Sequence, residues 1–155
     1  MVRYGEKDTE REVLTVVLTG KYEHNLDSKN RLFVPAKHRE ILGESFMITC
    51  GSDRCLSVYS MEEWEKYTKK IEELPATQAR AMIRFIYSNA QTAQPDGQGR
   101  VVLTPDLIAY AQIEKGAVII GSGNHAEIWS VDNWQRQSEM MNPDDMTELM
   151  IQLGM

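Results

Sequence analysis

At 155 residues and 42% apolar composition, the chain has material for one domain or for two small intertwined halves, each too short to hold a core alone. It contains no run of roughly 18 apolar residues that could cross a membrane as a helix. Its charged opening, Met1 to Asp8, lacks the apolar stretch of a secretory signal, so a cytoplasmic protein with reduced thiols and no membrane partner is expected.

Residues 1–12 are charged and aperiodic and read as a flexible N-terminal arm. Val13 to Thr19 is β-branched and apolar and reads as a strand, which Tyr22 to Leu26 extends. Asp27-Ser28-Lys29-Asn30 is a turn and Arg31 to Val34 a short strand. Pro35 starts a short helix over Ala36 to Leu42, stopped at Gly43. Phe46 to Cys50 and Cys55 to Tyr59 form a hairpin around Gly51 to Arg54. Ser60 and Glu63 have the spacing of a capping box. The helix they open places Met61, Trp64, Ile71 and Leu74 near one face and breaks at Pro75. A second helix, Thr77 to about Asn89, stripes Ala79, Met82, Ile83 and Ile86.

The same plan then repeats. A turn at Asp96 to Gly99 leads to a strand at Arg100 to Leu103 and a short helix at Pro105 to Ala111. A hairpin follows, Ala117 to Ile120 and His125 to Trp129, and Ser130 caps a helix containing Trp134. Met146, Leu149, Met150 and Leu153 stripe a final helix whose positive N-terminal end carries Asp144 and Asp145.

The repetition is residue-specific. Asp27-Ser28-Lys29-Asn30-Arg31 returns as Asp96-Gly97-Gln98-Gly99-Arg100, each followed by a short apolar run and a proline. Gly51, Tyr59, Ser60 and Trp64 align with Gly121, Trp129, Ser130 and Trp134, all 70 positions on. Thr104 is the extra residue that widens the spacing from 69 to 70. Co-aligned positions of this kind mark a duplicated supersecondary unit. Hairpins joined by brief helices predict an α+β barrel of two interleaved halves, with the connecting helices outside.

These motifs resemble the MraZ family. The carriers are Gly20 through Arg31, the two D-x-x-x-R signatures at Asp27/Arg31 and Asp96/Arg100, and the hairpin Gly121 through Trp129, together spanning roughly residues 17–136. The resemblance implies a swapped-hairpin, AbrB-like barrel made within one chain by two tandem repeats, with peripheral helices. The first repeat with its connecting helices would take residues 13–90, and the second with the C-terminal helix 91–155. It also implies a transcription factor of the division and cell-wall gene cluster and of its own promoter. Such a factor would be nucleoid-associated and assembled as a homo-oligomeric ring, an octamer or dodecamer. The chain departs from the family at its first dozen residues, at Asn30 in place of a glycine, and at Thr104 in place of a proline.

The net charge of −6 disfavours a polyanion partner, but it is unevenly spread. Residues 17–41 carry Lys21, Lys29, Arg31, Lys37 and Arg39 against Glu23, Asp27 and Glu40. Residues 126–155 carry Arg136 against Glu127, Asp132, Glu139, Asp144, Asp145 and Glu148. Local field, not net charge, acts within a Debye length of roughly 8–10 Å. A guanidinium beside a rigid turn can fork onto phosphate oxygens or onto a guanine edge. The residues expected to meet double-stranded DNA are therefore Lys29, Asn30, Arg31, Lys37, Arg39 and Arg100. Asp27 and Asp96 are expected to support the turns, accepting from their amides and holding the arginines. Arg100 lacks a lysine neighbour, so the second copy is expected to be subsidiary.

Blander readings stay open at this stage. Asp27–Arg31 could be a structural ion pair alone, and Lys37 and Arg39 a solvated face. The whole could be an interaction ring without sequence-specific DNA binding. An enzyme is disfavoured, because His24, His38 and His125 show no nucleophile–base pattern. Cys50 and Cys55 read as small buried residues, and with the scattered histidines they suggest neither metal nor cofactor.

Overall fold

The computed structural model describes residues 17–155. The expected arm over 1–12, and the start of the strand expected at Val13, lie outside the described residues. The strands are β1 (Lys21–Asn25), β2 (Arg31–Phe33), β3 (Phe46–Cys50), β4 (Leu56–Ser60), β5 (Gln91–Ala93), β6 (Arg100–Val102), β7 (Gly116–Gly121) and β8 (Ala126–Ser130). The helices are α1 (Ala36–Leu42), α2 (Met61–Glu72), α3 (Ala76–Asn89), α4 (Pro105–Ala111), α5 (Val131–Glu139) and α6 (Pro143–Gln152).

Six strands form one antiparallel sheet in the order β1-β7-β8-β4-β3-β5. The order is unchanged when each strand is replaced by its repeat partner. Hairpins β3–β4 and β7–β8 meet along β4 and β8, with Val58 opposite Ala126. β1, from the first half, lies on β7 of the second, Tyr22 opposite Ile119. β5, from the second half, lies on β3 of the first, Met47 opposite Thr92. Each half thus lends an edge strand to the other's hairpin.

Strands β2 and β6 pair separately as a two-stranded ribbon. The expected α+β class and interleaved repeats are present. Among the described residues, however, no hydrogen-bonded ladder joins β1 to β5 and closes the sheet into a barrel. Gln91 instead ties the β5 edge to the ribbon. Its Nε2 donates to the Val102 carbonyl at 2.8 Å, and its Oε1 accepts from the Thr104 amide at 2.9 Å.

One core draws on both halves. Leu32, Phe46, Ile48, Leu56, Val101, Leu103, Leu107 and Ile128 are all at most 2% exposed. At about 1.5–3 kcal/mol for a fully buried large apolar side chain, separating the halves would forfeit this shared burial. A second cluster, Cys55, Val118 and Trp129, lies under Trp134. Both cysteines are buried free thiols.

Local chemistry sets the element ends. Ser60 Oγ accepts from the Glu63 amide at 3.2 Å, and its repeat partner Ser130 from Asn133 at 3.1 Å. The additional Thr104 also caps, accepting from the Leu107 amide at 3.3 Å, whereas Pro35 before α1 cannot.

Two sequence expectations change, at Leu18 and along α2, and two features stand beside them, the added strand β5 and the exposed stripe of α6. Leu18 makes a single bridge to Gly123 rather than part of a ladder, and Gly20, at φ 88°, separates it from β1. α2 buries Thr68 and Ile71 and leaves Met61 at its start, and Leu74 just beyond its end, exposed. β5, polar at Gln91 and Thr92, carries no strand pattern of its own and exists because β3 offers it an edge. Along the apolar stripe of α6, Met146 is half-buried, and Leu149, Met150 and Leu153 are exposed.

Candidate nucleic-acid interface

The two D-x-x-x-R motifs fold into the same turn, bond for bond. In the first, the Asn30 amide donates to the Asp27 carbonyl at 3.0 Å and the Asp27 amide to the Arg31 carbonyl at 3.0 Å. In the second, Gly99 donates to Asp96 at 2.9 Å and Asp96 to Arg100 at 2.8 Å. Asp27 Oδ1 accepts from the amides of Lys29 and Arg31, both at 2.9 Å. Asp96 Oδ1 accepts from Gln98 and Arg100 at the same distance. The spacing follows from this geometry: a short carboxylate two and four residues before the two amides closes the loop on itself.

The fourth residue of each turn is left-handed, Asn30 at φ 60° and Gly99 at φ 80°. An asparagine tolerates that region, which is why it can stand in the first turn. The second turn needs glycine for another reason as well. A Cβ on Gly99 would sit 2.8 Å from Cζ of Arg39.

The turns interlock. The Val34 amide donates to the Gly99 carbonyl, and the Leu103 amide to the Asn30 carbonyl, both at 2.9 Å. Each strand end is thus pinned by the other motif's turn. In the ribbon Arg31 faces Val102 and Phe33 faces Arg100, while the intervening Leu32 and Val101 turn into the core. Strand alternation therefore puts Arg31, Phe33, Arg100 and Val102 on one outer face.

The carboxylates hold both arginines. Arg31 Nε donates to Asp27 Oδ2 at 2.6 Å and Arg100 Nε to Asp96 Oδ2 at 3.1 Å. Asp27 Oδ2 also lies 3.5 Å from Nη1 of Arg100, so the two guanidiniums converge on one carboxylate. The Arg31 backbone amide is the largest influence holding Asp27 at about 2, below its ordinary 3.8, and the Arg31 side chain adds to it. The Arg100 amide does the same, in direction, for Asp96. Both arginine side chains keep a little over a quarter of their surface exposed.

The remaining candidates divide. Lys29 and Asn30 are exposed on the first turn, Gln98 takes the place of Lys29 on the second, and Lys37 is exposed on α1. Arg39 turns inward: its Nε donates to the Val34 carbonyl at 2.9 Å, and its guanidinium lies 5.5 Å from the Phe33 ring centre. Phe33 also meets His24 edge to face, ring centres 4.9 Å apart.

A sequence profile described as "MraZ protein, putative antitoxin-like" matches this chain twice, at residues 17–85 and 86–152. The chain belongs to the MraZ family. Three proteins named transcriptional regulator MraZ illustrate the likeness. That of Clostridium tetani is 43% identical over 138 residues, covering 87% of this chain and 97% of the relative. That of Ligilactobacillus salivarius is 44% identical, covering 85% and 95%. That of Heliobacterium modesticaldum is 45% identical, covering 80% and 88%.

The three histidines are engaged separately. His24 packs on Phe33, and buried His38 uses Nε2 on the Thr19 carbonyl at 2.7 Å. His125 lies 3.3 Å from Glu127. Among the described residues no helix is long and apolar enough to cross a membrane. Sequence reasoning missed Arg39 as a support and Gln91 as a tie. Arg39 acts on Gly99 across the repeat boundary and Gln91 on Val102 and Thr104 within its own half, both between elements, where periodicity carries no signal; only the unequal turn compositions hinted that Gly99 had a neighbour.

Proposed function

We propose that this protein is a sequence-specific, double-stranded-DNA-binding transcriptional regulator whose contact surface is the β2–β6 ribbon with its two turns. The observation that carries this reading is the convergence of Arg31 and Arg100 on one outer face, both held by Asp27. A two-stranded ribbon fits the major groove, where an arginine fork reads guanine O6 and N7. Fixing each Nε on a carboxylate removes rotamer freedom before binding and leaves the Nη groups, apart from the Arg100 Nη1 beside Asp27, for a base edge or phosphate. Lys29, Asn30 and Lys37 add phosphate or base contacts at the rim. Arg39 acts from behind, seating Val34 and the Gly99 turn.

One chain offers few phosphate contacts. Useful affinity then comes from several copies on repeated sites, which suits a ring-shaped homo-oligomer. Family membership makes the division and cell-wall gene cluster, with the protein's own promoter, the target we propose, and the nucleoid the place of action. A purely structural clasp would show the same Asp27–Arg31 pair, so the arginine must be tested directly. Fluorescence anisotropy on duplex from immediately upstream of the gene compares wild type, Arg31→Ala and a shuffled duplex across a salt series. The proposal expects tight, salt-sensitive wild-type binding that the shuffled duplex lacks and a folded, same-size Arg31→Ala loses. Equal binding by the variant would leave the arginine a structural clasp.

A further inference from the structure

The outer face of the ribbon carries an apolar side chain, Val102, that is 57% exposed. It stands directly opposite Arg31, and Arg100 is two residues before it on the same strand. A single exposed valine ordinarily needs no explanation. This one differs because its repeat partner is sheltered. Phe33, 69 positions earlier, is half-buried, with the Arg39 guanidinium 5.5 Å from its ring centre and the His24 ring at 4.9 Å.

The counterparts of those two covering residues are both alanine: Ala109, 70 positions on from Arg39, and Ala93, 69 on from His24. The ladders give the same match. His24 pairs with Ala117 and Ala93 with Phe46, and these face the two capping serines, Ser130 and Ser60, on their other side. Alanine lacks the reach to shelter Val102. The valine is also held in place. Gln91 Nε2 donates to its carbonyl at 2.8 Å, and a β-branched side chain has few rotamers to lose. Directly opposite residues on one face of an antiparallel pair bring their Cβ atoms to about 4.5–5.5 Å, so the Val102 methyls stand beside the root of the Arg31 side chain.

The major groove offers hydrogen-bonding atoms and one apolar group, the C5-methyl of thymine. We infer that Val102 is a specificity-determining residue, packing on the C5-methyl of a thymine beside the base that Arg31 reads. This deepens the regulator reading and rests on the ribbon entering the major groove. Phe33, sheltered by Arg39 and His24, has no such methyl group to offer. The two halves of the ribbon therefore read unlike bases although their turns are alike.

Fluorescence anisotropy on duplex from immediately upstream of the gene tests it. Each thymine in turn is replaced by deoxyuridine, which removes the C5-methyl and keeps every hydrogen-bonding group. Wild type is expected to lose about fourfold in affinity at one or more of these positions, the scale of one buried methyl. Val102→Ala is expected to lose a similar factor on the unsubstituted duplex and nothing further on the deoxyuridine one. The salt dependence of the two proteins should match, because an apolar contact releases no counterion. Circular dichroism and sedimentation check that the variant keeps its fold and size, and the wild-type comparison of the duplexes stands without it. A wild type that prefers the upstream duplex over a shuffled one yet tolerates every deoxyuridine would overturn the Val102 contact alone. So would a deoxyuridine penalty that persists in Val102→Ala. A wild type without preference for the upstream duplex would overturn the regulator reading, and this inference with it.

Discussion

Replacing Gly99 by alanine tests how the second turn is held. The φ of 80° costs an alanine about 1–2 kcal/mol. The new Cβ would lie 2.8 Å from Arg39 Cζ and 2.9 Å from its Nε, so the guanidinium must shift, and complete departure sets the upper bound of the cost. Leaving forfeits its bond to the Val34 carbonyl, worth about 1 kcal/mol, and its stacking on Phe33, worth about 0.5–1 kcal/mol. The total is roughly 2–4 kcal/mol. In an Arg39→Ala background only the backbone cost remains, so the same substitution should cost about 1–2 kcal/mol there. The two changes are thus coupled by about 1–2 kcal/mol, within the range that contacting residues show. Urea unfolding at fixed protein concentration, followed by tryptophan fluorescence, measures the cycle. With a slope of about 2 kcal/mol per molar, Gly99→Ala should lower the midpoint by roughly 1–2 M in wild type and about half that in Arg39→Ala. Equal losses in both backgrounds would refute the seating of Arg39 on the Gly99 turn. A loss below about 0.5 kcal/mol in wild type would refute the left-handed requirement as well.

Other outcomes follow from the same geometry. Asp27 falls from 3.8 unfolded to about 2 folded, so its stabilisation is complete above pH 4 and lost as pH falls toward 2. Asp27→Asn should flatten that part of the stability–pH curve in acid urea titrations, and an unchanged curve would contradict the carboxylate's role. Gly121→Ala places a Cβ 2.2 Å from the Thr19 backbone, whereas Gly51→Ala meets first the Ser57 hydroxyl, which can rotate, and then Cys55 Sγ at 3.0 Å and the Cys55 carbonyl at 3.1 Å, which need only small shifts. The first should destabilise by more than about 1–3 kcal/mol and the second by less, read by thermal unfolding. Burial, with Glu127 close by, pushes the Cys55 thiol up, and burial does the same for Cys50. Neither should react quickly with a thiol reagent at pH 8 until denaturant is added, and a fast-reacting thiol would argue against the core assignment.

The parts of this fold that local chemistry controls could be read from the chain. Short helices bounded by Pro35 and Gly43, serine-capped helices at Ser60 and Ser130, and the hairpin strands all carry their own period or punctuation. So did the twin turns, because an Asp closing on two amides needs fixed spacing. What the sequence could not carry was the exchange of partners. β5 exists only as an addition to β3, Gln91 matters only because the ribbon passes beside it, and Thr104 acquires its cap only once α4 is placed. The same holds at the candidate interface. Asp27 with Arg31 is a local pair and was visible, but Asp27 with Arg100 depends on interlocked strands, as does Arg39 lying under a glycine in the other half.

The most direct test of the account is amide hydrogen exchange on the full chain, with and without duplex from immediately upstream of its gene. The account predicts slowed exchange on DNA binding across both 27–34 and 96–103, with α2 and α5 unchanged. Protection confined to the peripheral helices, with both turns unaffected, would contradict the ribbon as the DNA-binding surface.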